Sequence, residues 1–486
     1  MGFNDYLAIG KVAGLDDVEQ QDLDTLVDVF NRHRSNNNIK DKYYDGMITL
    51  SDVNLGIAIP DSMKNIEFDC GWGAKAVDVL ASRSMFDGFV GTGGKNSDSV
   101  NAIVERNNLI YEYSKACTDE LKYGCTFATL SEDEDGLTAI RFHSPRSAAA
   151  LWNGEKGRIG CGLAIIDEVY DEAQSNYLPS LVNYYTDEFT IVLERIGGRW
   201  EPEFHENNLG RPLMEPLIWN PTTGKPFGRS RIDSPVRNLI NNYVGVMADM
   251  RIAVEFDTAP QKYLLGVTDE QFDSIVNNKF KNYVGSVLAA TANPETGQNP
   301  QFGQLSQGNI EPHVQAIRLI ATQFCAITSL PVTDVGIIND ANPTSSDAIL
   351  AQTQSLVSLA EKLNAGNGIA LVNIIKMAME LDGIEIDESI IAHFRNPAMP
   401  SVSVTADAAI KIASARQGFS TTDVFLEMIG FDQADIRRIR AQEREAVGRQ
   451  LLSNEFSQIA QNTLNGNQPN ADKEQNSGNS NENITS

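Results

Sequence analysis

Apolar residues recur at alternating three- and four-residue steps across residues 311–330, placing Val314, Ile317, Ala321, Phe324 and Ile327 on one side of a helix. Pro331 stops that pattern. Residues 332–343 contain Gly336 and an Asn342-Pro343 pair and fit neither a helix nor a strand period, which predicts a long loop. Its apolar run over residues 335–338 argues against disorder. Thr344, with Asp347 following in capping-box spacing, predicts a second helix carrying Ile349, Leu356, Val357, Ala360 and Leu363 on one face. Loops of this length between capped helices are usually functional or disordered, and the apolar run favours function.

The same periodicity organises the rest of the chain. Leu15, Val18, Leu23, Leu26, Val27 and Phe30 predict an acidic amphipathic helix over residues 15–33, ended by an asparagine-rich break at 36–38. Tyr43-Tyr44-Asp45-Gly46 leads to an extended arm at residues 55–60. A helix is expected over 71–85, with Ala76, Val77, Val79, Leu80 and Met85, and a long helical pattern over 98–121. Between 125 and 218 the texture changes to short β-branched and aromatic runs at 126–130, 138–142, 163–166, 189–193 and 200–204. Turn sequences at 133–136 and Gly197-Gly198 join pairs of these runs as hairpins. Trp152, Trp200 and Trp219 fall here and read as core or strand-pair aromatics. Ser234-Pro235 then predicts a capped helix with Val236, Leu239, Ile240, Tyr243, Met247, Met250 and Val254 on one nearly uncharged face. Residues 262–309 read as a small inserted module of strand, helix, strand and loop. A capping box at Ser420 and Asp423, a stop at Gly430, a charged helix over 432–452 and a polar, disordered tail over 467–486 complete the chain.

With 486 residues and 42% hydrophobic composition, several domains are expected. No apolar run approaches the roughly eighteen residues of a membrane span, and the N-terminus lacks signal-peptide character, so neither export nor membrane insertion is expected. Cys70, Cys117, Cys125, Cys161 and Cys325 are scattered without a CxxC and suit small buried side chains in a reducing compartment. The net charge of −26 disfavours tight DNA binding, which needs clustered bases to displace counterions. It suits a soluble acidic protein, or a surface that passes nucleic acid without holding it.

Catalytic patterns fail one by one. Gly91-Thr92-Gly93-Gly94-Lys95 is not a phosphate loop, because Phe89 stands where the first glycine belongs and Asn96 where a hydroxyl is needed. His33, His143, His205, His313 and His393 are isolated from one another and indicate no metal site. Ser230 has no neighbouring base, and no carboxylate pair stands out from the acidic background. Arg437, Arg438, Arg440 and Arg444 read as a solvated face laced with Glu443 and Glu445. No catalytic residue, cofactor or metal is therefore expected.

The order and spacing of Tyr43-Tyr44-Asp45-Gly46, Gly56-Ile57-Ala58-Ile59-Pro60, Gly71-Trp72, Ala76-Val77-Asp78, Gly228-Arg229-Ser230, Pro260-Gln261 and the segment from Asn342 to Ile349 resemble the portal proteins of long-tailed bacteriophages. The resemblance implies an α+β portal architecture: a wing (1–230), a stem helix (231–261), a clip (262–308), a returning stem helix (309–330), a tunnel loop (331–343), a long wing helix (344–381), a crown (382–465) and a disordered tail (466–486). It further implies a homo-oligomeric ring, usually a dodecamer, at one capsid vertex of the virion, assembled in the host cytoplasm. A terminase would drive double-stranded DNA through the ring. Major capsid protein, scaffolding protein and a head-to-tail adaptor would be the other partners, with no membrane involved. On this reading Val332, Asp334, Val335, Gly336, Ile337, Ile338 and Asp340 belong to the channel loop. The residues Val236, Ile240, Tyr243, Met247 and Met250 would pack between copies. The alternative is a metal-dependent nuclease or other enzyme of the packaging machinery.

Overall fold

The computed structural model describes residues 6–49, 67–91, 97–172, 175–258, 262–265, 297, 299, 301–304, 309–336, 346–386, 389–398 and 402–465. They fall into two compact units, Met1–Met399 and Pro400–Ser486.

In the first unit, α1 (Asp17–Asp45) begins at a capping box in which Asp16 accepts from the Val18 and Glu19 amides, and it closes on Gly46 in the left-handed region. The expected break at Asn36–Asn38 is absent. Asn37 is buried, its Nδ2 donates to the Pro145 carbonyl at 3.2 Å, and its Oδ1 accepts from Lys40 Nζ at 3.2 Å. These tertiary bonds outweigh the weak helix propensity of asparagine. Tyr43 and Tyr44 therefore end a helix, and the expected arm at 55–60 lies outside the described residues. The flanking strands β1 (Met47–Thr49) and β2 (Glu67–Asp69) pair antiparallel.

Helix α2 (Trp72–Ala81) crosses α1 at Gly73, where a Cβ would stand 2.0 Å from the Tyr43 carbonyl oxygen. Only glycine permits that approach. The helix is shorter than expected: exposed Met85 lies beyond it, and strand β3 (Phe86–Val90) follows. The expected long pattern at 98–121 is two helices, α3 (Ser97–Arg106) and α4 (Leu109–Tyr123), parted at Asn108 with φ 49°. Neighbouring Asn107 causes the break by serving the sheet: its Nδ2 donates to the Thr138 carbonyl and its Oδ1 accepts from the Ile140 amide.

The β-region holds strands β4 (Cys125–Glu132), β5 (Thr138–His143), β6 (Ala148–Asn153), β7 (Arg158–Asp171), β8 (Asn176–Tyr185), β9 (Phe189–Ile196), β10 (Arg199–Glu206) and β11 (Met214–Ile218). They make a five-stranded sheet, β10-β9-β8-β7-β6, and a three-stranded sheet, β11-β4-β5, antiparallel throughout. Both expected hairpin turns join their strands. Three strands escape a sequence reading for physical reasons. The alanines of β6 have little strand propensity, while β8 and β11 contain Pro179 and Pro216. Those prolines are tolerated because β11 is an edge strand and β8 pairs with β9 only from Leu181 onward.

Two hydrophobic cores result. One joins α1, the N-terminal Leu7, Ile9 and Val12, and one face of the five-stranded sheet. The larger one gathers α2 to α4 and the three-stranded sheet with three later helices, Ser234–Thr258, Glu311–Thr328 and Ser346–Leu381. The tryptophans are structural: Trp219 is buried, Trp152 meets Phe227 edge-on, and Trp200 Nε1 donates to the Ala8 carbonyl at 2.8 Å. All five cysteines are free and buried.

The second unit carries α-helices at Val402–Ala415, Asp423–Ile429 and Gln433–Asn465. The cap of the middle helix is Thr422, whose side chain accepts from the Phe425 amide, instead of Ser420. Ser420 lies in a 3-10 turn, Phe419–Thr421. The last helix outruns its expected end near 452. Arg440 pairs with Asp423 and Glu443, consistent with a solvated charged face. Residues 466–486 lie outside the described set.

Candidate functional site

Helix α5 (Ser234–Thr258) is capped by Asp233, not Ser234: Asp233 Oδ1 accepts from the Val236 amide at 3.1 Å. Helix α6 (Glu311–Thr328) packs beside it, and the two connect through an antiparallel ladder of β12 (Lys262–Leu265) and β13 (Gln301–Gln304). The expected helix and second strand of the inserted module fall outside the described residues.

The face of α5 proposed for packing between copies divides in two. Val236 and Ile240 are buried in the subunit's own core, together with Leu239, Val244 and Ala248. Tyr243 meets Trp72 in a tilted ring contact at 4.5 Å between centroids. An apolar stripe of this period also suits a helix packed within its own subunit, so Val236 and Ile240 are corrected to core positions, while Tyr243 is half-buried against that core. Met247 and Met250 are only half-buried and remain available.

On α6, Ala321, Phe324, Cys325 and Thr328 turn inward, whereas Ile327, expected on the same face, is 51% exposed. Phe324 meets Trp72 at 4.9 Å. Trp72 thus joins α2, α5 and α6 in one aromatic hub. Arg231, just before α5, is a second clasp: its guanidinium donates to the Ala76 carbonyl of α2 and, at 2.6 Å, to the Thr328 carbonyl at the end of α6. Burial lowers its pKa to about 10, against the opposing pull of Asp233. The sequence reading missed Arg231, although it directly follows the Gly228-Arg229-Ser230 motif.

Past α6, Ser329 adopts a left-handed conformation, buried Leu330 donates its amide to the Cys325 carbonyl, and Pro331 opens a 3-10 turn, Val332–Val335. The turn closes on Gly336 with φ 81°, whose amide donates to Thr333 at 3.2 Å. Val335 packs against the large core. Val332, Asp334, Val335 and Gly336 therefore form an anchored turn at the end of α6 rather than a structureless loop. Ile337, Ile338, Asp340 and the Thr344 capping box lie outside the described residues. Burial, with a smaller contribution from Asp334, pushes the Cys325 thiol up to about 11.

The long helix α7 (Ser346–Leu381) follows, with Leu356, Val357, Ala360 and Leu363 buried as expected. It is fastened to α4 by a buried polar cluster. Asn367 Nδ2 donates to Glu120 Oε2 at 2.7 Å and to Tyr113 Oη at 2.9 Å, and Ser84 bridges Tyr113 and Asn364. Burial raises Glu120 to a pKa of about 8, because the Asn367 amide only partly offsets the cost of desolvating its charge. At the far end of α7, Asp382 takes Arg106 and Thr138 as partners and is held below its usual range despite burial. Strand β14 (Ile391–Phe394) then pairs antiparallel with β3, so residues 382–399 belong to the first unit and not to a C-terminal crown.

Among the described residues no cluster of His, Cys, Asp and Glu is arranged to hold a metal ion, and no helix is long and apolar enough to cross a membrane. What the arrangement offers is mechanical: α5 and α6 are locked to the large core, and an anchored turn follows α6 and packs back against that core.

The sequence profile of the family described as phage portal protein, SPP1 Gp6-like, matches residues 16–449. The chain belongs to the phage portal protein family. It is 24% identical over 448 residues to the portal protein of Mycobacterium phage D29, covering 88% of this chain and 90% of that one. Solved structures with similar portions include the neck of a native gene transfer agent particle computed with C12 symmetry, at 12% identity and TM-score 0.44, covering 74% of this chain and 89% of that one. The neck of an empty particle computed with C6 symmetry scores 0.45 at 11% identity, covering 74% and 90%. Portal function follows from the family, whose members are structural proteins.

Proposed function

We propose that the chain assembles into a closed ring, of about twelve copies, that forms the DNA channel at one capsid vertex of a phage-like virion. A terminase would supply the energy, and the ring would later carry a head-to-tail adaptor. The observation that carries this reading is the anchored turn at 331–336, placed where α5 and α6 are locked to the wing core. In a ring, that position repeats around the axis, and residues 331–343 form a collar of loops on the channel wall. The segments 1–230, 231–261, 262–308 and 402–465 then serve as wing, stem, clip and crown. Met247 and Met250, half-exposed on α5, face the neighbouring copy.

Charge supports weak contact with DNA. The duplex carries one negative charge per roughly 1.7 Å of its axis, so an acidic wall lets phosphates slide and a basic wall would hold them. Replacing both Asp334→Lys and Asp340→Lys adds two cations per copy around the collar. DNA packaged per procapsid, assayed with the cognate terminase, should then fall several-fold at low salt and recover as salt rises. Packaging unchanged at every salt concentration would place these aspartates away from the channel.

A further inference from the structure

The chain's net charge of −26 gives basic side chains an excess of acidic neighbours to pair with. One cleft breaks that expectation. A cavity of about 700 Å³ lies between the C-terminal half of α1, strand β6 and the segment before α5, and Lys40, Lys225, Arg229 and Arg237 line it. Lys40 Nζ donates to the Tyr123 carbonyl at 2.9 Å and to Asn37, and Arg237 donates to Ser234 Oγ at 3.2 Å. Among the described residues none of these cations pairs with a carboxylate. The acid in the wall, Asp233, is engaged in capping α5. The cleft is also built rigidly: Gly228 has φ 67°, a Cβ there would stand 2.1 Å from the Trp219 carbonyl oxygen, and the Arg229 amide donates to that carbonyl at 3.1 Å. Burial makes Lys40 a poorer holder of its proton, a cost that an incoming anion would relieve. Phe30, Phe127 and Phe227 give the cleft an apolar lining, which a phosphate backbone would not use.

A complementary element stands on the same subunit. Strands β7 and β8 outrun their sheet: β6 covers β7 only to Ala164, and β9 covers β8 only from Leu181. Beyond those points Val169↔Leu178, Tyr170↔Tyr177 and Asp171↔Asn176 form a ribbon without a third strand. Two-stranded ribbons are marginal in water on their own. Val169, Tyr170 and Tyr177 are nevertheless 58%, 50% and 56% exposed, and the two tyrosine rings pack edge-on at 5.3 Å. Asp167, Glu168, Asp171 and Glu172 flank them, with Glu168 accepting from Tyr6 Oη and Asp167 from Ser180 Oγ, and no lysine or arginine occurs between residues 166 and 179, so the ribbon is negative overall. Aromatic side chains exposed within a charged rim mark a contact surface.

We propose that the acidic aromatic ribbon of one copy seats in the cationic cleft of the next. The two patches differ, so the contact is head-to-tail, the kind that closes into a ring when its rotation permits. The inference rests on the ring reading above and names one of its interfaces.

The test is a charge exchange in the whole 486-residue chain, read by native mass across a concentration series, with circular dichroism confirming the fold. Arg229→Glu with Arg237→Glu, and separately Asp171→Arg with Glu172→Arg, should each raise the concentration needed for half-assembly at least about tenfold. Combining all four substitutions in one chain should bring it back to within about threefold of wild type. Wild-type assembly by either reversed variant, or no recovery in the combination, overturns the contact and leaves the ring reading standing. Rings that persist in the cleft variant while losing retention of a short DNA duplex overturn it in favour of a phosphate site. A wild-type chain that stays monomeric throughout overturns both readings.

Discussion

Phe324→Ala should lower the stability of the first unit by about 3–5 kcal/mol, read as a fall in its urea midpoint, while Ile327→Ala should change it by less than about 0.5 kcal/mol. Both residues belong to the same apolar repeat, yet the structure gives them opposite fates. Phe324 is fully buried, and its ring meets Trp72, which in turn meets Tyr243 of α5. Truncation leaves a void where α2, α5 and α6 converge, in a region already braced by Arg231 and therefore slow to collapse into it. Ile327 already faces outward and loses little surface burial on truncation. Equal effects of the two substitutions would mean that α6 is rotated from the position described. A large effect of Ile327→Ala confined to the assembled ring would place that side chain between copies.

Glu120→Gln should stabilise the protein increasingly as pH rises, by an amount on the order of a few kcal/mol at pH 8 and above. The carboxyl's folded pKa is raised to about 8 from an ordinary 4.5. A raised folded pKa means that the folded state binds the proton more tightly than the unfolded state. Its stabilising contribution is therefore complete below about pH 4.5 and is lost progressively as pH climbs toward 8. Glutamine keeps the shape and the bond with Asn367 without ionising, so the difference between variant and wild type isolates this loss. The difference matters because Asp119, raised to about 6 chiefly by burial, contributes a loss of the same sign in the wild type and the variant alike. Tyr113, Cys117 and Cys125 are pushed upward by the same burial and by Glu120 itself, and they stay neutral in this range. A variant whose advantage is independent of pH would show that Glu120 is already ionised in the folded protein.

What the sequence revealed, and what it hid, follows from the range of the interactions. Helix α7 was legible because Leu356, Ala360 and Leu363 repeat at helical spacing over many turns, and the hairpins because Gly136 and the Gly197-Gly198 pair mark turns that need positive φ. Helix α1 was misjudged at Asn36–Asn38 because the bond that pays for Asn37 comes from Pro145, more than a hundred residues away. Helix α5 was legible but Val236 and Ile240 on it were misassigned, since an apolar stripe is the same in sequence whether it meets its own core or another copy. Arg231 and Glu120 were invisible for a related reason: a charged residue reads as surface until the carbonyls or amides that hold it inside are known. The end of α6 was legible from Pro331. The turn after Pro331 was not legible, because it is held by Val335 packing back against the core.

Native mass of the purified 486-residue chain tests most directly whether it works as a ring. The expected result is a discrete species of about twelve times the 53.2 kDa chain, with class averages showing a central opening. A monomer or an isolated dimer at every concentration and salt tried would contradict it.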